Sequence, residues 1–258
     1  MFLYETHMHT KEGSLCSQTP VKQMMEELAK RNYSGVIITD HFFTSTSYTP
    51  DRNLPWPEQM KVFYKSYENA YKVANDLGID VFFGFELQMI SYDILIYGVS
   101  IEYLISHPEF QRFSPVVIMN EAKLRGKGTD DVLAEAFIDL SKTVHEQGGY
   151  LTCAHPCRAR PHPIDEFVLN NMDGIELYNG TYTHNHYPEI VYDAAKKYNL
   201  NIQSGSDAHS TDKLNNGVYF NKKPADIYEF ISLLKQKPLL KAFQSKNKID
   251  PENPEMVG

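Results

Sequence analysis

Tyr4-Glu5-Thr6-His7-Met8-His9-Thr10 is the stretch on which the reading of this chain turns. Phe2 to Thr6 reads as a short first strand. His7 and His9 are two residues apart, so on an extended backbone both imidazoles point the same way. Two imidazoles converging at a strand end make half of a metal site. Taken alone, the stretch could equally be a surface strand that happens to carry two histidines. The rest of the chain separates the two readings: Asp40-His41, Glu86, His155 and Asp207-Ala208-His209 each follow an apolar run of strand type.

Working outward, Thr19-Pro20 suits the start of a helix, with Thr19 at the N-cap and Pro20 in the first turn. Met24, Met25, Leu28 and Ala29 supply its apolar stripe. Gly35 to Thr39 is a buried strand of the parallel-sheet type, ending at Asp40-His41. A polar and aromatic loop from Phe42 to Trp56 follows, then a helix from Pro57 to Leu77. The next strand, Asp80 to Phe85, ends at Glu86. Ser91 to Val99 is another strand, with Asp93 near its start. Residues 100–128 are the least legible part and read as helical in pieces. Thr129 to Gln147 has helical spacing. Tyr150 to Ala154 leads into His155-Pro156, Asp173 to Tyr178 into Asn179-Gly180, and Asn201 to Ser206 into Asp207. Short helices cover Ile164 to Asn170, Pro188 to Tyr198 and Ala225 to Leu234.

Strands alternating with helices predict an α/β fold with a parallel sheet. Six or seven such units in 258 residues predict a closed or nearly closed barrel, with an open sheet as the alternative. In a barrel of this kind the active site lies at the C-terminal ends of the strands, where most of the candidate ligands fall.

Composition sets the bounds. Hydrophobic residues make up 42% of the chain, enough for a sizeable core, and the net charge is -8. That balance argues against a nucleic-acid binder, which carries a basic footprint. No apolar run reaches the length of about 18 residues that a membrane helix needs, and no secretory signal stands at the N-terminus. Cys16, Cys153 and Cys157 do not form a disulfide framework, so a reduced, cytoplasmic protein is expected.

The segments His7-Met8-His9-Thr10, Thr39-Asp40-His41, Gly84-Phe85-Glu86, Ala154-His155-Pro156 and Gly205-Ser206-Asp207-Ala208-His209 resemble, in their order and over nearly the whole chain, those of the PHP (polymerase and histidinol phosphatase) family. The resemblance implies a distorted (β/α)7 TIM-like barrel in a single domain over residues 1–245, with a polar tail at 246–258. It also implies two or three bound divalent metal ions and hydrolysis of phosphate esters. On that resemblance His7, His9, Glu86 and Asp207 would hold the first ion. Glu86 would bridge to a second, held also by His155, and His41 and His209 would hold a third. Two positions depart from the usual pattern. Asp93 stands where the second ion usually has a histidine. Glu12 is the nearest candidate for the acid or histidine that usually completes the third. His107 is a rival to Asp93 for the second ion.

Mixed imidazole and carboxylate ligands suit Zn, Mn or Fe. Two such ions can share a hydroxide at neutral pH, which would be the nucleophile, and both draw charge from phosphoryl oxygens. Arg158 and Arg160 leave the strand end just after His155, and a guanidinium binds phosphate bidentately. The resemblance favours Arg158, so Arg158 and Asp207 are the expected catalytic residues. Lys11, His162, His184 and His186 are further candidates to touch substrate, and Glu176 reads either as a pocket residue or as a buried structural acid. The expected function is a metal-dependent phosphoesterase acting on a small phosphorylated substrate, of histidinol-phosphatase or nucleotide type. The alternatives are an amidohydrolase-type C–N hydrolase, which also uses a His-x-His barrel site, and a non-catalytic PHP module.

Overall fold

The apolar runs form strands, and the amphipathic segments pack outside them. In chain order the elements are β1 (Phe2–Met8), α1 (Val21–Lys30), β2 (Gly35–Ile38), β3 (His41–Phe42), α2 (Trp56–Leu77), β4 (Asp80–Met89) and β5 (Tyr92–Tyr97). Then come α3 (Ile101–Ser106), a 3-10 helix (Pro108–Phe113), α4 (Pro115–Arg125), α5 (Thr129–Glu146), β6 (Tyr150–Ala154), α6 (Glu166–Leu169), β7 (Gly174–Asn179) and α7 (Pro188–Tyr198). The chain ends with β8 (Asn201–Gly205), β9 (Gly217–Phe220), α8 (Ile227–Leu234), β10 (Leu239–Lys241) and β11 (Met256–Val257). The structure, a computed structural model, describes residues 1–43, 47, 53–158, 160–181, 187–242 and 256–257. His184, His186, most of the loop before Trp56 and most of the tail after residue 245 lie outside the described residues.

The sheet runs β11-β10-β9-β1-β2-β4-β5-β6-β7-β8, with β3 paired to β4. The last barrel strand returns to the first: Met8 bridges Ala208 in parallel, His9 N donates to Ala208 O at 3.0 Å and Thr6 Oγ1 donates to Ser204 O at 3.0 Å. The result is a nearly closed α/β barrel. At this seam the register of β1 shifts between Glu5 and Met8. The Glu5 carboxylate stands in for missing ladder carbonyls there. Its Oε1 accepts from Thr6 N, His7 N and Ser206 N at 2.8–3.0 Å.

Two departures from the sequence reading matter for function. First, the sheet is not wholly parallel: β5 runs antiparallel to both β4 and β6. Only Ile90 and Ser91 separate β4 from β5, and Ile90 takes a left-handed φ of 56°, so the pair is a hairpin and no crossover can intervene. β4 also runs on past Glu86 to Met89. Because β5 is reversed, its first residues lie at the rim where the parallel strands end. Asp93 is therefore in register with Ala154, next to His155. Second, Thr19 does not cap α1. Pro20 occupies the cap position, and the N–H of Val21 goes to Glu12 Oε2 at 2.9 Å.

The other end of the barrel is floored by aromatic side chains. Phe230 of α8 packs on Tyr4, Phe82, Tyr97 and Phe220 with ring centroids 5.0–6.4 Å apart. Tyr4 and Phe82 start their strands and Tyr97 ends a reversed one, so all mark the same end. β9 and β10, unforeseen in the sequence, extend the sheet beyond β1 over this region.

Candidate metal centre

Most of the strands deliver one or two donors to the open rim. β1 carries His7, with His9 just beyond it. β3 carries His41, whose register partner on β4 is Glu86. β5 opens with Asp93, β6 runs into His155, and β8 runs into Asp207 and His209. Glu86 is at the centre. Its Oε1 lies 3.5 Å from His7 Nε2 and 3.2 Å from His155 Nε2. Its Oε2 lies 3.3 Å from His9 Nε2 and 2.8 Å from His41 Nδ1. Asp207 Oδ1 approaches His7, His9 and His209 at 3.2–3.5 Å, and its Oδ2 is 3.7 Å from His155. Asp93 Oδ2 is 3.9 Å from His155 Nε2 and 3.5 Å from an Arg158 guanidinium nitrogen.

The rings are held from behind, and the carboxylates that hold them fix the tautomers. A carboxylate only accepts, so His7 Nδ1 donates to Glu176 Oε1 at 3.1 Å, leaving Nε2 facing the cluster. Ser14 Oγ donates to Asp40 Oδ1 at 2.7 Å and so accepts from His9 Nδ1 at 3.3 Å. His9 Nε2 therefore also faces inward. Glu176 Oε2 accepts from His155 N at 2.9 Å and Asn179 Nδ2 at 2.8 Å. Two donor-bearing residues leave their strands with left-handed backbones, His155 at φ 27° and Asp207 at φ 51°. Such a backbone costs about 1–3 kcal/mol per residue and persists where surrounding bonds over-determine it. The crowding is tight: a Cβ on Gly205 would stand 2.5 Å from Glu176 Oε1.

The arrangement demands positive charge. Glu86, Asp93 and Asp207 are all buried, and isolated buried carboxylates are expensive. His7 Nε2 and His9 Nε2 face each other at 3.2 Å, an approach that only a proton or a shared cation between them makes favourable. Glu86 Oε2 and His41 Nδ1 are buried without a hydrogen-bond partner. The titration of these groups tells the same story. Burial opposes charge on His7, but Asp207, Glu176 and Glu86 outweigh it and hold the ring well above the usual histidine range. Burial, aided by His41, pushes His9 down to about 3. Glu86 is held well below the carboxylate range because His41 and His7 outweigh its burial. Among the described residues, four overlapping sets bring donor atoms within 4.8 Å of one another: His7-His9-Glu86, His7-His155-Asp207, Glu86-Asp93-His155 and His9-His41-His209. Divalent ions fit this donor set in kind and charge.

Glu12 is the expected donor that the structure places elsewhere. The loop folds back through Lys11 N to Thr19 O and turns at Gly13, directing the Glu12 carboxylate to the N-terminus of α1 instead of to the cluster. His107 also stands apart, stacked on Tyr103 at 3.9 Å and bonded to Tyr103 O at the end of α3. Arg158, Arg160 and Lys11 are exposed, with Arg158 alone in contact with a donor, Asp93. His162 turns back onto Pro163 O. The positions that sequence reasoning passed over are Glu5, Ser14, Asp40 as a holder of Ser14, and Cys16 as a neighbour of the cluster, whose Sγ lies 3.1 Å from His209 Nε2. Glu5 and Glu176 carried a signal: each is an acid inside an otherwise strand-forming run, a place where an unpaired carboxylate is not tolerated.

The chain is similar in fold to proteins of known structure. The chain resembles a Bifidobacterium adolescentis protein assigned by inference as a metal-dependent phosphoesterase, with a TM-score of 0.54, 15% identity, and coverage of 90% of this chain and 95% of that one. It also resembles a two-domain Bacteroides vulgatus protein containing an inferred PHP-like metal-dependent phosphoesterase, with a TM-score of 0.58 and 15% identity; 93% of this chain spans 64% of that protein. At this identity the likeness establishes the fold alone. No curated protein matches the sequence significantly. The PHP domain profile, however, matches residues 5–252. That span takes in every strand end that feeds the cluster, and the chain belongs to the PHP domain family.

Proposed function

We propose that the protein hydrolyses small phosphate monoesters in a metal-dependent reaction, with residues 1–245 as the catalytic unit. One observation carries the reading: a single buried carboxylate, Glu86, touches His7, His9, His41 and His155 at once. A residue so placed can bridge neighbouring ions. His7, His9, Glu86 and Asp207 would hold one, Glu86, Asp93 and His155 a second, and His41 with His209 a third. Ions held there supply Lewis acidity toward phosphoryl oxygens and lower the pKa of a water.

The chain's own residues supply the rest. Glu176, Ser14 and Asp40 fix the imidazoles so that little reorganisation is needed on binding. Arg158 stands at the rim, exposed, beside Asp93. From there its fork can take the phosphoryl oxygens that face solvent while its charge offsets that of Asp93. No serine or cysteine nucleophile is required, because water attacks phosphorus and the alcohol leaves. The same-site alternative, C–N hydrolysis through a carbamylated lysine, is disfavoured because Glu86 already has the bridging place.

The test is a panel of phosphomonoesters, bisphosphates and N-acyl compounds offered to protein loaded in turn with Zn(II), Mn(II) and Fe(II). Phosphate release that a chelator abolishes and a metal restores supports the proposal. Release confined to the N-acyl compounds, or none with any ion, would sink it.

A further inference from the structure

The outer edge of the cluster has a donor that neither the resemblance nor the family assignment supplies. His209 Nδ1 donates to the backbone carbonyl of Asp207 at 2.9 Å. A carbonyl only accepts, so Nδ1 carries a proton and Nε2 is the nitrogen left for a ligand. That nitrogen lies 3.1 Å from Cys16 Sγ. His41 shares the location: the His41 and His209 rings each stack against His9 at 4.4 Å and stand 6.3 Å from each other. A second, independent observation points to a cation-binding position. Glu86 Oε2, on a side chain 1% exposed, lies 2.8 Å from His41 Nδ1, and neither atom has a hydrogen-bond partner. Glu12 cannot supply the third donor from where it stands, because its carboxylate holds Val21 N.

We propose that Cys16 is a metal ligand, forming with His41 and His209 a thiolate–imidazole site for a soft divalent ion such as Zn(II) or Fe(II). Nitrogen and sulfur donors sharing one tetrahedral Zn(II), at about 2.0 and 2.3 Å, stand roughly 3.5 Å apart, close to the separation seen between His209 and Cys16. On binding, the S–H bond gives its proton to solvent and the sulfur pair goes to the ion, with no change in oxidation state. Sulfur at this edge selects against Mn(II) and Mg(II), which prefer oxygen. The proposal rests on the metal-cluster reading above but not on the phosphoesterase activity.

Chelator-stripped protein reloaded with Co(II) alone tests it. The wild type is expected to show sulfur-to-cobalt charge-transfer absorption in the near ultraviolet, and Cys16→Ser to lose it. Cys16→His is expected to bind as much cobalt as the wild type without that absorption. Cys153 and Cys157 remain in both variants, so absorption that survives in Cys16→Ser would overturn the assignment, as would its absence from the wild type. A second measurement needs no variant. Alkylation of Cys16 by iodoacetamide, followed by mass spectrometry, should slow roughly tenfold at Zn(II) about ten times its dissociation constant. An unchanged rate would also overturn it. Neither readout involves turnover, so a protein that behaves this way yet releases no phosphate refutes the proposed function and leaves the cysteine ligand standing.

Discussion

Around Glu86 the cluster has two unlike flanks. On one, Asp93 and His155 come from adjacent, hydrogen-bonded strands, and their side chains are 9% and 4% exposed. On the other, His41 and His209 are 15% and 25% exposed, and their neighbour Cys16 sits on a loop. The first flank is oxygen-rich, fixed by a β-ladder and backed by Arg158. The second is nitrogen- and sulfur-rich and more open to water. Ligand softness and rigidity thus change together across a few ångströms. The difference predicts ions of unequal affinity and kind at the two flanks.

The largest expected effect comes from the residue the flanks share. Glu86→Gln should reduce the ions bound on both sides and lower the rate of phosphate release by roughly a thousandfold, the equivalent of about 4 kcal/mol. Elemental analysis beside the rate separates the outcomes. If only one flank loses its ion, Glu86 belongs to that flank and the bridging idea fails.

Asp93 comes next. Asp93→Ala is expected to lower kcat/KM by at least about a hundredfold, since changes outside the coordination sphere alone cost roughly ten- to a hundredfold. Asp93→His should restore binding while moving the preference of that flank from Mn(II) or Fe(II) toward Zn(II). A metal preference that does not move between aspartate and histidine would show that softness at this position does not sort the ions.

Arg158→Ala should reduce kcat/KM by about ten- to a hundredfold, because one charged hydrogen-bond partner is worth roughly 1.5–3 kcal/mol. Metal content should change little and Arg158→Lys should recover only part of the loss. A loss that appears in Arg160→Ala instead would reassign the role. Glu176→Gln is expected to weaken metal binding about tenfold. Glu176 accepts on both oxygens, from His7 Nδ1 on one and from His155 N and Asn179 Nδ2 on the other. An amide must therefore turn a donor against a donor on one side. Retention of full affinity in Glu176→Gln would mean that ring orientation is set elsewhere.

How much of this was legible in the sequence depends on the scale of the interaction. His7, His9, Glu86, His155 and Asp207 could be read because each follows an apolar run, and the barrel rule turns that position into a common location. Asp93 was legible only as an anomaly near a strand start. It took the two-residue hairpin at Ile90-Ser91, and hence the reversal of β5, to put that start at the rim. β9 and β10 escaped because they are short, at four and three residues, too short for alternation to register. The aromatic floor could not be read either, since Tyr4, Phe82, Tyr97 and Phe230 are far apart in sequence and only closure of the barrel stacks them. The direction of Glu12 could not be read for the same kind of reason: a carboxylate three residues after the His-x-His motif is the natural candidate for the outer flank until the backbone shows which way the loop turns, and the proposed Cys16 then stands as the alternative.

That choice is also where the smallest expected effect is the most discriminating. In the structure Glu12 Oε2 accepts from Val21 N at 2.9 Å, and Pro20 before it offers no side-chain cap to α1. Glu12 therefore does for α1 what an N-cap residue does, satisfying one of the orphan N–H groups and placing negative charge at the positive end of the helix dipole. Losing a cap costs typically about 1 kcal/mol, and for a domain of this size that lowers Tm by roughly 2–4 °C. Glu12→Ala should show that modest drop in a calorimetric melt, with Glu12→Gln falling between it and the wild type, since the amide oxygen still accepts but carries no charge. Cobalt content and absorption should stay as in the unmutated protein. The opposite pattern, an unchanged melt with an ion lost from the outer flank, would mean that the acid and not the thiol completes that flank, and the contrast in softness between the two sides would disappear.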